Sequence, residues 1–153
     1  MGMRLAAFGA GVLTAGLLLA GCGGSDSGES ISKEEFIAKA DAICKQSNQR
    51  MEAAFTKFLK DNPTLTKPTD PRFQPLVGDV MVPSLKREIE ELKELGVPDG
   101  DEEKVGAMIS ALEEGLETAE DNPEVVTGSS SDTVFGIASR IAGEYGAEVC
   151  GSR

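Results

Sequence analysis

The chain has no histidine and no tryptophan, and only one tyrosine and three cysteines among 153 residues. Without histidine it lacks the commonest general base and the commonest zinc ligand, so an H-E-x-x-H zinc site is impossible. Basic residues are also scarce. Fifteen Lys and Arg stand against 26 Asp and Glu, a formal net charge of −11. Such a surface repels phosphate backbones and anionic headgroups, which argues against nucleic acid as a partner. There is no G-x-S-x-G elbow and no phosphate-binding glycine loop. Ser30-Ile31-Ser32-Lys33 matches the S-x-x-K signature of penicillin-recognising enzymes, but no S-D-N or K-T-G segment accompanies it. The expectation is a chain that is not an enzyme and holds no cofactor.

One long apolar run is present, Leu5 to Ala20, preceded by Arg4. It is short and glycine-rich for a transmembrane helix, which needs about 20 apolar residues. It ends in Leu19-Ala20-Gly21-Cys22, which resembles a lipobox, the site where lipoprotein signal peptidase cuts before a cysteine. By that resemblance Cys22 becomes the mature N-terminus and carries a diacylglyceryl thioether, a palmitate-type anchor. The alternative is an ordinary secretory signal that contains a cysteine. Gly23 to Ser30 is small and polar, as a tether should be, and eight flexible residues reach roughly 15 Å. The expected organisation is residues 1–21 as signal peptide, 22–31 as lipidated cysteine and tether, and 32–153 as a helical domain. Arg4 is the leader's only charged residue, so its removal takes the net charge from −11 to −12. The remaining 132 residues suffice for one domain with a modest core.

Cys44 and Cys150 are left for that domain. Outside the cytosol two thiols allow one intramolecular pairing, and closing a loop of roughly 100 residues contributes about 4.7 kcal/mol in the chain-entropy model. A redox or metal site is the rival reading, disfavoured by the wide spacing.

Every long segment of the domain has helical period. Helix A opens with Ser32 as N-cap, Glu35 completing a capping box and an Ile31–Phe36 staple, and stops at Asp61-Asn62-Pro63. Its apolar stripe runs from Phe36 through Cys44 to Leu59, interrupted near Ser47. A proline-rich loop follows, whose Phe73 either seeds recognition or folds inward, the latter being favoured. Helix B begins between Pro71 and Leu76, with a kink or break at Pro83, and ends at Gly96, where Val97 folds back on Leu92. Helix C is capped by Asp99 or Asp101 and stops at Asp121-Asn122-Pro123. Helix D is capped by Ser131 or Asp132 and buries Val134, Ile137, Ala138, Ile141, Tyr145 and Val149. If helix D starts level with the end of helix A, a rise of ~1.5 Å per residue puts Cys150 and Cys44 at one height. The expected fold is all-α: an antiparallel up-down-up-down four-helix bundle, with one disulfide joining helix A to the C-terminal end of helix D.

The segment FIAKADAIC (Phe36 to Cys44) and the ending YGAEVCG (Tyr145 to Gly151) resemble a family of small actinobacterial envelope lipoproteins. The resemblance implies a helical envelope domain on a cysteine framework and brings no catalytic residues.

Asp99, Asp101, Glu102 and Glu103 are candidates for a weak calcium or magnesium site. They do not form an EF-hand, because Lys104 and Ser110 stand where Gly and Glu are required. N-capping and dipole complementarity explain the same residues, so no metal site is assigned. Met51, Met81 and Met108 fit a core better than a copper site. Glu88, Glu90, Glu91 and Glu94, with Glu113, Glu114, Glu117 and Glu120, read as acidic solvent faces open to a basic partner. The functional expectation is a non-enzymatic binding module of the cell envelope. It is held on the outer face of the cytoplasmic membrane by the lipid on Cys22 and meets an envelope protein. The alternative is a small-ligand or divalent-metal carrier with a pocket inside the bundle, near Pro83.

Overall fold

The computed structural model describes residues 30–67, 70–127 and 134–152, and all regular structure among them is helical. The expected signal peptide, Cys22, most of the expected tether and the candidate caps Ser131 and Asp132 lie outside the described residues.

Helix α1 spans Lys33–Asp61, a run of 29 residues. Ser32 caps it as expected, its hydroxyl accepting from the Glu35 amide at 3.2 Å. Only half of the capping box forms, since the Glu35 carboxylate pairs with Lys39 at 2.7 Å. Ile31 packs beside Phe36 against the core. At the other end Asn62 closes the helix, its amide and side chain both bonded to the Phe58 carbonyl.

Asp70 and Pro71 start the next helical run, at the early end of the expected range. Asp70 caps a 3₁₀ turn, Pro71–Phe73, and hydrogen bonds from the Arg72 guanidinium and amide hold its carboxyl down at about 2. The run continues through α2 (Gln74–Leu76) and a π-helical segment, Val77–Met81, into α3 (Val82–Glu94). The irregularity expected at Pro83 is this π turn. Pro83 has no N–H to offer and its ring crowds the preceding turn, so the backbone widens ahead of it and the Val82 amide reaches back five residues to Val77. The helix ends at Gly96, at φ 76°. Val97, expected to fold back, is instead 41% exposed.

Helix α4 (Glu102–Asp121) is capped at Asn122, and α5 (Pro123–Thr127) follows at once. Asn122-Pro123 therefore ends one helix and begins another, with Pro at a first-turn position where its missing N–H costs nothing. The last segment departs most from expectation. It is two helices, α6 (Gly136–Tyr145) and α7 (Glu148–Gly151), separated by Gly146 at φ 106°. The left-handed glycine turns the chain back so that Gly151 lies on Gly143, where a Cβ at Gly151 would sit 2.8 Å from the Gly143 backbone. The cysteine bridge is present, with Cα atoms 5.3 Å apart, but it lands on α7 and not on a continuing helix D.

The helices pack in a closed order: α1 on α3, α3 on α4, α4 on α6, α6 on α7, and α7 back on α1. The main core gathers Phe36, Ala40, Cys44, Leu92, Met108, Leu112, Ala142 and Tyr145, and a smaller cluster joins Val77, Val82, Ala119 and Val126. The buried face of α6 is rotated from the expected one. Ala138, Ser139 and Ala142 are buried, while Ile137 is 56% exposed. The cause is Phe135, whose ring occupies the place of a Cβ on Gly115, 2.6 Å from where that atom would be. With Phe135 seated on α4, small residues face inward and Ile137 faces out.

Two glycines test this packing in opposite directions. Gly151→Ala should lower stability by about 1–3 kcal/mol, because the methyl meets backbone that cannot yield cheaply. Gly106→Ala, in mid-helix with open space around it, should raise stability by about 0.5–1 kcal/mol. Urea denaturation midpoints of the two variants check both signs.

Candidate functional site

Two features stand out on α1, one at each end. The first is a clasp. Asp41 and Cys44 are three residues apart, so they share one face of the helix. Cys44 bonds Cys150, and Asp41 Oδ1 accepts from the amides of Val149 and Cys150 at 2.9 and 3.2 Å. One helix turn thus grips α7 by a covalent bond and by an N-cap supplied from far away in sequence. Tyr145 completes the clasp. Its ring meets Phe36 edge-on at 5.8 Å, Lys33 Nζ lies 4.4 Å above it, and its hydroxyl donates to Asp101 at 2.8 Å. Burial first, then the Asp101 hydrogen bond and the charges of Asp101 and Glu34, push the Tyr145 hydroxyl well above its usual value of 10.0.

This arrangement assigns the acidic cluster. Asp101 serves Tyr145, and Asp99 accepts from the Ser30 hydroxyl at 2.7 Å, fastening the segment just ahead of α1. Glu102 and Glu103 lie exposed in the first turn of α4. Among the described residues no group of three or more acidic, Cys or His side chains is placed to hold a metal ion. The S-x-x-K residues are similarly engaged, Ser32 as a cap and Lys33 over Tyr145.

Glu88 was expected on a solvent face and is instead fully buried, with Oε1 3.9 Å from Cys44 Sγ. The helical stripe of α1 also continues through Ser47, which is fully buried. The Ser47 hydroxyl and two nitrogens of Arg50 are enclosed with no hydrogen-bond partner among the described residues. Other acidic residues of α3 and α4 fit the solvent-face expectation in part. Lys86 reaches Glu120 at 2.5 Å, and Lys93 pairs with Glu113, so cations stitch the two acidic faces together.

The second feature is an apolar groove at the far end of α1. Phe73 folds inward, 4% exposed, with ring centroids 6.2 and 5.5 Å from Phe55 and Phe58. Beside it, between α1 and the run from Leu76 to Met81, lies a hollow of 260 Å³ lined by Met51, Glu52, Phe55, Leu76, Val80 and Met81. A second hollow of 240 Å³ lies across the Leu76–Val80 ridge, bordered by Ala54, Phe58, Pro75 and Asp79. Both open to the surface. Within the core, by contrast, the void beside the disulfide holds 10 Å³, about the least that admits one water. Met51 and Met81 share the groove, while Met108 sits in the main core, so the three methionines do not converge.

Asp41 and the groove were not recognised from sequence. An aspartate one turn before a cysteine was the available signal for the first, and the Pro83 irregularity for the second. Compared with known proteins, the chain matches no family model, no curated protein and no solved structure.

Asp41→Ala should destabilise the domain by about 1–2 kcal/mol, because two amides of α7 lose their acceptor. Amide hydrogen exchange at Val149 and Cys150 should accelerate in step. Tyr145 gives a pH signature. A group whose folded value is raised stabilises the fold below its unfolded value and stops doing so as pH climbs past it. Stability should therefore fall above about pH 10, and Tyr145→Phe should flatten that fall in denaturation midpoints measured from pH 8 to 11.

Proposed function

We propose that this chain is a lipid-tethered helical module of the bacterial cell envelope that acts by binding a partner and not by turnover. The Cys44–Cys150 bond carries the reading, because such bonds persist outside the reducing cytosol. The signal-like residues 1–22 supply the export route, and lipidation of Cys22 supplies the anchor on the outer face of the cytoplasmic membrane. Among the described residues no helix is long and apolar enough to cross a membrane.

We read the domain as an antiparallel up-down-up-down bundle. Cys44 lies against Glu88 whereas Phe55 and Phe58 lie against Phe73, so contacts descend along one partner as they ascend along the other. The pairs Lys86–Glu120 and Lys93–Glu113, then Gly115–Phe135 and Asp101–Tyr145, keep that opposite sense. In this arrangement the tether enters beside Asp99 and Tyr145. Met51 and Phe55 then lie roughly 27–33 Å along α1 from Lys33. The anchor would hold the groove away from the bilayer, facing a partner in the envelope.

The groove also supports a second reading, a carrier of small amphiphiles. In that case the cargo sits in a surface hollow and not inside the bundle.

The test begins with intact mass and thiol count of protein extracted from its own membranes. The expected species starts at Cys22, carries diacylglyceryl mass and has no free thiol. Cys22→Ser should release the folded domain from membranes, and its retention there would overturn the anchor. A photo-crosslinking residue at position 55 should capture an envelope protein in intact cells under the binding reading. Under the carrier reading it captures none, and short-chain amphiphiles raise the melting temperature instead.

A further inference from the structure

Among the described residues Glu88 is the one fully buried acidic side chain, and it lies outside both the clasp and the groove. It is fully enclosed with Oε1 3.9 Å from Cys44 Sγ, and Leu92, Met108, Leu112, Ser139 and Ala142 line the small void beside that cysteine. Burial of a carboxylate opposes folding unless other groups compensate it. The closed disulfide has no proton to exchange with it. Cys44 acquires one only as a free thiol, before the bond forms or after it is reduced.

We propose that Glu88 is the proton acceptor for Cys44 when the Cys44–Cys150 bond closes, and the proton donor when it is reduced. The two sulfurs differ in access. Cys150 lies on the last short helix and is 6% exposed, whereas Cys44 is fully enclosed in α1. A small external disulfide such as glutathione disulfide therefore exchanges first with Cys150, giving a Cys150–glutathione mixed disulfide and one glutathione. The Cys44 thiol then passes its proton to the Glu88 carboxylate, and the Cys44 thiolate attacks Cys150 Sγ. The Cys44–Cys150 bond forms, the Cys150–glutathione bond breaks, and the departing glutathione thiolate recovers the proton from Glu88. Two cysteine thiols are oxidised and one glutathione disulfide becomes two glutathione thiols.

Among the described residues Glu88 is the carboxylate that lies against Cys44 Sγ. On α1 the neighbouring charges are Asp41, occupied by the α7 amides, and Arg50, nearly two turns further along. Toward the bond α4 presents Met108 and Leu112, and α6 presents Ala138, Ser139 and Ala142, none of which titrates near neutrality. Glu148 on α7 and Arg140 and Glu144 on α6 are exposed.

The test uses the full chain with Cys22→Ser, so that only Cys44 and Cys150 react. The reduced protein is mixed with glutathione disulfide, quenched by alkylation at intervals, and read by mass spectrometry from pH 6 to 9. Glu88→Gln should slow conversion of the mixed disulfide to the closed bond at least about tenfold at pH 7. The deficit should shrink toward pH 9, where solvent deprotonates a thiol of ordinary value about 8.5 unaided. Glu88→Asp should recover part of the rate. A purely structural role predicts slowing by the same factor at every pH, and that result overturns the proposal. Closure as fast as the parent's or faster also overturns it, since the carboxylate would then hinder the thiolate. If circular dichroism shows Glu88→Gln unfolded, Glu88→Asp decides alone. Slower closure at pH 7 that converges on the parent toward pH 9 supports proton transfer, and an unchanged rate at pH 7 overturns it.

Discussion

The rest of the domain depends on how α1 holds the four-residue helix α7 at its end. Alone, a four-residue helix has no stability, because it fixes backbone without completing a ladder of hydrogen bonds. Here α7 is ordered by two groups on one turn of α1: Cys44 takes its sulfur and Asp41 its free amides. The consequence reaches beyond α7. Helices α1 and α6 are brought together through this element, so it closes the ring of packed helices. Gly146 supplies the left-handed turn that aims α7 back, and Gly151 lets the backbones touch. The Y-G-A-E-V-C-G ending therefore has a structural reason at most of its positions, and none of those reasons is catalytic.

Packing is uneven along the molecule. At the clasp end glycine, alanine and serine allow backbones to approach closely, and Phe135 fills the space above Gly115. At the other end α1, 29 residues long, packs against a run whose helix is widened by the π turn before Pro83. The groove between Met51, Phe55 and Val80 follows from that mismatch. An apolar groove and a covalently closed base are thus placed at opposite ends of the same long helix.

Net negative charge proves a poor guide to where this protein would meet a partner. Several of its carboxylates are committed inside the domain. Asp41 caps α7, Asp99 and Asp101 hold Ser30 and Tyr145, and Glu88 lies against the disulfide. Others are neutralised by lysines bridging α3 and α4. The apolar groove is the more specific feature, because exposing such a surface opposes solubility unless something covers it.

Sequence by itself determined what depends on neighbours in the chain. Ser32, Asn62 and Gly96 start and stop helices through bonds to residues within five positions, and those boundaries were legible; the start at Asp70-Pro71 was legible only as one end of a range. The pairing of Cys44 with Cys150 followed from counting, and burial of Phe73 from its size and place in a loop. What only tertiary structure decided lies where local chemistry is indifferent. A glutamate on an amphipathic helix reads as solvent-facing until a neighbouring helix covers it, as α1 covers Glu88. Ser47 interrupts an apolar stripe in sequence yet is fully buried. Ile137 has the period of a core residue and is turned outward by Phe135 seating on Gly115. Gly146 sits within a run of helical period, and the break there is selected by the grip of Asp41 and Cys44 from more than a hundred residues away. In each case the free energy that decides the outcome belongs to a contact between helices, and a pattern along one helix carries no record of it.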